Sequence, residues 1–515
     1  MSLTQVCDRE RGWSAVPELK ASQLLTSAAK TAATWVARSR TKHVTAGATA
    51  VGLVLTAVVV ATTGPWDASG QRKAEAHRAA SQEAAGGADH DGAPGTRPGA
   101  PAAAPRAPAV LAAPGATVPA PTREALADVL DPLLKDPSLG TRRTAAVVDA
   151  VTGERLYGKS AGDALTPAST IKLATAVAAL TAAGPDHRIA TRTRLEKDAG
   201  KLVLVGGGDP TLTARQKNPY GAASLRTLAD ETAASLKKSG TTEITLAYDT
   251  SLYSGPKTHP IGPNENLAQV TALMADEGRT DDSNSGPAPR AADPAASAAR
   301  KFADLLHDHG IRTKGGDPQA GKASGKAEDI AKVESPPLSA LVERMLTHSD
   351  NDIAEALARQ TAVAAGESHD FDGAGKAVHQ QLGTLRLPLA GTRFADGSGL
   401  DRTDKISADL LTGLLAKAAE PGRPELRAVL TGLPVAGFTG TLSSRYSDEA
   451  DASGTGLVRA KTGTLTGVNT LAGSVVDADG RLLVFAFMTQ GAPGPQTAQA
   501  SLDRLASSVA NCGCR

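Results

Sequence analysis

The amino-acid sequence predicts an α/β fold: one antiparallel sheet with helices on both faces plus an all-helical layer, interrupted by an inserted segment. Three observations predict it. The folded part opens on a helix and a hairpin, it closes on a hairpin and a helix, and long helical stretches flank a middle region of different texture.

The first 120 residues do not belong to that sheet. Residues 44–64 carry no charge, and 21 residues rising about 1.5 Å each span roughly 30 Å of hydrocarbon. Before them, residues 21–43 hold Lys30, Arg38, Arg40 and Lys42 and no acid, which puts the N-terminus in the cytoplasm. Trp35 and Trp66 flank the span. The expectation is a cytoplasmic basic segment (1–43), a transmembrane signal-anchor (44–64) and export of everything beyond; a cleaved signal peptide is the alternative. Residues 65–120 are dominated by Ala, Pro and Gly and read as a disordered, semi-extended linker.

From residue 121 the texture changes. Leu126, Val129, Leu130, Leu133 and Leu134 recur at helical spacing behind a capping Thr122. Residues 145–158 read as strand, Thr-Gly turn, strand. Residues 467–489 repeat that pattern around Asp479-Gly480, and Leu502, Leu505 and Val509 mark a closing helix. Helical stretches at 170–183, 338–363 and 407–419 supply the helical layer. These assign 121–189 and 336–515 to one domain and 190–335, with its short strand-like pieces, to an inserted one. Aromatic residues make up only 3% of the chain, so the core must be built from Ala, Val, Leu and Ile.

Composition excludes some functions. A net charge of +1 leaves no field to draw nucleic acid. The three cysteines, Cys7, Cys512 and Cys514, are too few for a zinc site, and the Cys-Gly-Cys tail reads as a frayed end holding either a disulfide or two thiols. His307 and His309 lie in a solvent-type stretch rather than a metal-binding one. His348 beside Ser349 does not make a triad, because sequence neighbours on a helix do not face each other.

Three short motifs carry chemistry. In the first, Thr166 caps and Pro167 opens a helix that places Ser169 in its first turn and Lys172 three residues on, on the same face. A serine hydroxyl needs a base to become a nucleophile, and a buried lysine can be that base. In the second, Ser349-Asp350-Asn351 falls on a corner between two amphipathic helices. There the hydroxyl can relay a proton and the amide can hold a peptide group. In the third, Lys461-Thr462-Gly463-Thr464 sits in a strand, where glycine admits another backbone and the hydroxyls suit a carboxylate. Asp396 and Asp401, around Gly397-Ser398-Gly399, are expected to shape a loop. Each motif alone is common; their order and placement together are not.

In these three motifs the chain resembles the D-alanyl-D-alanine carboxypeptidase/endopeptidases of the low-molecular-mass class C penicillin-binding proteins. GGGDPTL (206–212), YDTSLYSGP (248–256), SDNDIAEALAR (349–359), ADGSGLDRTDKIS (395–407) and KTGTLTGVNTLAGSV (461–475) extend the likeness over roughly 121–510. The resemblance implies a transpeptidase/β-lactamase-like domain. It implies Ser169 as acylated nucleophile, Lys172 as base, Ser349 and Lys461 in proton transfer, and Asn351 positioning substrate. Thr462, Gly463, Thr464 and Asp350 are implied on the substrate-binding side, with the N–H groups of Ser169 and Thr464 as oxyanion hole. No cofactor or metal is implied. The substrate would be peptidoglycan stem peptides ending in D-Ala-D-Ala, with β-lactams as inhibitors. The membrane is expected as a partner through the uncharged segment 44–64, a departure from family members that are often secreted or periplasmic. Ser169 and Ser349 are 180 residues apart, which implies a shortened inserted domain.

Overall fold

The computed structural model describes residues 118–513 apart from 219, all within one compact unit, Ala107–Arg515. The basic segment (1–43), the expected span (44–64) and the linker up to 117 lie outside the described residues, as do Cys7 and Cys514. No helix of the described residues is long and apolar enough to cross a membrane. Two residues of the span expected as linker are docked: Arg481 Nη1 donates to Val118 O at 3.0 Å, and Ala120 packs on the core that includes Leu126. At the other end Cys512 is buried and disulfide-bonded rather than frayed.

In chain order the elements are α1 (Arg123–Leu134), β1 (Arg142–Asp149), β2 (Arg155–Lys159), α2 (Lys172–Ala183), β3 (Ala190–Glu196) and β4 (Lys201–Val205). Then come α3 (Leu225–Lys238), β5 (Glu243–Asp249), α4 (Pro294–Asp308), β6 (Arg312–Ala320), β7 (Glu328–Glu334), α5 (Leu338–His348) and α6 (Asn351–Ala365). The chain closes through α7 (Phe371–Thr384), α8 (Ala408–Ala419), α9 (Arg427–Thr431), β8 (Arg459–Leu465), β9 (Val468–Val476), β10 (Leu482–Gln490) and α10 (Pro495–Ala510).

The two chain ends meet in one five-stranded antiparallel sheet of order β2-β1-β10-β9-β8. Its central strands are apolar on both faces, because side chains alternate and both faces are covered. On β10, Val484, Ala486 and Met488 face the helical layer of α2, α5, α6 and α8. Leu483, Phe485 and Phe487 face α1 and α10, with the two phenylalanine rings stacked at 5.2 Å. Turns hold both hairpins, with Gly153 and Gly480 at positive φ where side chains are disfavoured.

Residues 190–334 contain a second sheet of order β6-β5-β4-β3-β7, with α3 and α4 packed on it around Phe302. This sheet is mixed: β4–β5 and β5–β6 run parallel, each joined by a crossover through a helix. The long loop between β5 and α4 reaches the first domain, where Ala268 N donates to Asp352 Oδ1 at 2.9 Å.

Candidate active site

The cleft lies where the N-terminus of α2, the α5–α6 corner and edge strand β8 converge. Its wall includes Ser169, Asn266, Ser349, Asn351, Gly399 and Thr464.

The start of α2 differs from the expected capped helix. Residues Ala168–Ile171 form a 3₁₀ turn, and Thr166 does not cap it. Its hydroxyl donates instead to Arg402 O at 3.1 Å and accepts from Lys405 at 2.7 Å, so the turn is pinned from the 395–407 segment. Ala168, immediately before the serine, has φ of 48°, a left-handed value disfavoured for a residue with a side chain. The turn thus holds Ser169 off the helix axis and half-exposed to the cleft.

Lys172 is fully buried beneath it. Its Nζ lies 2.6 Å from Ser398 O, 2.7 Å from Asn351 Oδ1 and 3.0 Å from Ser169 Oγ. Burial outweighs the pull of Asp396, Glu355, Asp350 and Asp404 and lowers its pKa to about 8. In the neutral amine, two N–H groups meet the two carbonyl-type acceptors. The lone pair is left for the hydroxyl, the one neighbour that can donate.

The corner is built by Ser349, which adopts the left-handed conformation (φ 57°) as the C-cap of α5. Asp350 then caps α6, accepting from Ile353 N at 3.0 Å, with Arg344 at 3.9 Å. Asp350, expected on the substrate-binding side, lines the cleft, and its carboxylate also starts the helix. Asn351 Nδ2 donates to Asn266 O at 3.0 Å, so this amide is clamped at both ends.

On β8, Lys461 is fully buried and donates to Ser349 Oγ and to Thr462 O, both at 2.8 Å. Burial, then the neighbouring Lys172 cation, push its pKa well below the usual lysine value. A Cβ on Gly463 would overlap Thr470 Oγ1 and stand 2.7 Å from Pro167 O and 3.1 Å from Ser169 N, so only glycine lets the strand pass the serine this closely. Thr462 Oγ1 bonds Thr441 Oγ1 at 2.8 Å, and Thr464 is exposed, accepting from Gln499 at 3.1 Å.

Sequence reasoning did not reach several neighbours. Asp396 does shape its loop, accepting from Ser398 N (3.0 Å), Gly399 N and Asp401 N (2.7 Å); Asp401 closes a local turn on Thr403 at 2.8 Å. Glu355 holds the same loop from α6 through Gly397 N and Ser398 N at 3.1 and 2.9 Å. Neither the Ser398 carbonyl nor Asn266 had a sequence signal, since both act through backbone. His309 pairs with Asp230 at the end of α4 and His348 lines the cleft without bonding Ser349.

The chain has relatives among known proteins. The D-Ala-D-Ala carboxypeptidase 3 (S13) family matches residues 126–289 and 280–509. A carboxypeptidase of Mycobacterium tuberculosis is 36% identical over 409 residues, which cover 76% of this chain and 85% of that protein. A D-alanyl-D-alanine carboxypeptidase of Actinomadura sp. is 28% identical over 445 residues, covering 72% and 82%. In fold, penicillin-binding protein 4 of Haemophilus influenzae superposes with a TM-score of 0.59 at 21% identity, over 74% of this chain and 97% of that one.

Proposed function

The chain belongs to the D-Ala-D-Ala carboxypeptidase 3 (S13) family, and on that premise we propose that it trims peptidoglycan stem peptides through an acyl-enzyme on Ser169. It is a serine-type, penicillin-binding D-alanyl-D-alanine carboxypeptidase. The observation that carries the mechanism is the contact set of Lys172: two acceptors for its N–H groups and one hydroxyl for its lone pair.

In this reading Lys172 removes the Ser169 proton as Oγ attacks the carbonyl of the penultimate D-alanine. The N–H groups of Ser169 and Thr464 stabilise the oxyanion. As the C–N bond breaks, the proton passes through the Ser349 hydroxyl, held by Lys461, to the departing amine, and D-alanine leaves. Asn351 offers its second N–H to the substrate backbone. Thr462 and Thr464 with Lys461 suit the terminal carboxylate, and Gly463 keeps the strand close enough to present them. Water then attacks the ester, its proton returns to Ser169 Oγ, and the shortened peptide is released. Penicillin, whose lactam carbonyl takes the same position, forms an ester that blocks this last step.

The finer parts concern reach. The uncharged span 44–64 and its basic flank support a single-pass anchor with the site outside the membrane, and the Ala/Pro/Gly stretch supports a tether. Deleting residues 1–65 should move the protein from the membrane to the soluble fraction of a cell lysate; a deletion protein still sedimenting with membranes would sink the anchor. Action on cross-linked peptides is tested by mass spectrometry of the products of a defined cross-linked muropeptide. For the core reading, fluorescent penicillin should label the wild type covalently and leave Ser169→Ala unlabelled.

A further inference from the structure

The inserted domain touches the catalytic one through a side chain that the mechanism does not use. His259, in the loop between β5 and α4, is 3% exposed, and its Nε2 lies 2.9 Å from Asp396 Oδ2. The edge of its ring packs on Phe371, with centroids 5.3 Å apart at 89°. Its Nδ1 accepts from Ile261 N at 3.3 Å, so in the neutral ring Nε2 carries the proton and Asp396 receives it. That tautomer leaves no lone pair toward the His259–Glu355–Asp396 cluster, which therefore reads as a hydrogen-bonded unit and not as a cation site.

Asp396 spends its remaining acceptor capacity on one turn: Ser398 N, Gly399 N, Asp401 N and Ser398 Oγ. Thr175 Oγ1, from α2, donates to Gly397 O at 2.7 Å and Glu355 grips the turn from α6. The product of all these bonds is the direction of one carbonyl, Ser398 O, which makes the shortest contact of Lys172 Nζ at 2.6 Å. The other N–H acceptor, Asn351 Oδ1, belongs to an amide clamped by Asn266 O of the same inserted loop. Both groups that fix the lone pair of the base thus trace back to residues 259–266.

We propose that His259 is a positioning residue for the general base: its N–H holds Asp396, which aims the Ser398 carbonyl at Lys172 so that the amine lone pair faces Ser169. The inserted domain is then part of the catalytic apparatus, and this rests on the acyl-enzyme reading above. The charged groups facing Lys172 are Asp396, Glu355, Asp350, Asp404 and Lys461; those facing His259 are Asp396, Glu355 and Asp401. None of these comes from the inserted domain, so His259 is its contribution to this set.

The test is a pair of substitutions in the full-length protein. In His259→Gln the side-chain amide N–H occupies the Nε2 position and reaches Asp396. In His259→Asn it occupies the Nδ1 position and does not. D-alanine release and the acylation rate by penicillin are measured with thermal unfolding of each variant. The inference expects kcat in the Asn variant to fall at least tenfold with KM within twofold, and the Gln variant to stay within threefold of wild type. An Asn variant as fast as wild type would overturn it. So would a Gln variant as slow as Asn, since ring packing on Phe371 would then be what matters. An inert wild type would sink the acyl-enzyme reading itself; a reactive wild type with an equally reactive Asn variant sinks this inference alone.

Discussion

The pH dependence of acylation follows from the burial of Lys172. The amine works as a base only when neutral, and its pKa of about 8 lies below the ordinary 10.5 because desolvation penalises the cation. At neutral pH that shift enlarges the neutral fraction roughly 300-fold over an exposed lysine. The second-order rate of acylation by penicillin should therefore rise about tenfold per pH unit below the midpoint and flatten above it, roughly a 90-fold gain between pH 6 and pH 9. The sign is opposite to that of a protonated-lysine mechanism, in which the rate would fall over the same interval. Stopped-flow quenching with a fluorescent penicillin measures it, with Lys172→Arg as the control that holds a proton at every pH used. A flat profile from pH 6 to pH 10, or a midpoint near the ordinary lysine value, would refute the argument that burial sets the base.

Other outcomes follow from the same geometry. Gly463→Ala should push β8 away from Ser169, and a displacement of about 1 Å lowers acylation on the order of 100-fold; an unchanged rate would mean that the strand yields without cost to the site. Ser349→Ala removes the proton relay and should lower kcat for D-alanine release by about 100-fold or more while leaving thermal unfolding near wild type. Arg290→Ala takes away the guanidinium that pairs with buried Asp352 at 2.9 Å, and equilibrium unfolding should show a loss of about 3 kcal/mol. Tyr157 donates to Asp131 at 2.6 Å, and burial with that carboxylate holds its phenol well above the ordinary value. Its absorbance should accordingly show no phenolate formation at pH 11 in the folded protein, where a free tyrosine is ionised.

The fold was legible mainly where local periodicity and tertiary demand agree. The two terminal hairpins carry turn residues that need positive φ, Gly153 and Gly480, and apolar strands covered on both faces, so their pattern survives into the sheet. The mixed sheet of the inserted domain was not legible beyond its pieces, because the parallel pairing of β4 with β5 depends on a crossover through α3 that no single strand records. The entry to α2 was misread for a comparable reason. A Thr-Pro start ordinarily caps a helix, but here Arg402 and Lys405, more than 230 residues away, take the threonine hydroxyl. In the site, ionisable and hydroxyl side chains at fixed spacings are visible in a sequence. Acceptors that act through backbone, Ser398 O and Asn266 O, are not. Asp350 shows a second role that the motif did not announce: its carboxylate caps the helix that the motif begins.

In the proposed mechanism Ser169 forms a covalent acyl-enzyme with Lys172 as its base. Intact-protein mass spectrometry after incubation with benzylpenicillin tests it most directly, followed by peptide mapping and repeated on Ser169→Ala. A single added penicilloyl mass is expected on the peptide carrying Ser169, absent from the alanine variant. A full adduct on the alanine variant, or an adduct mapped to any other residue, would contradict it.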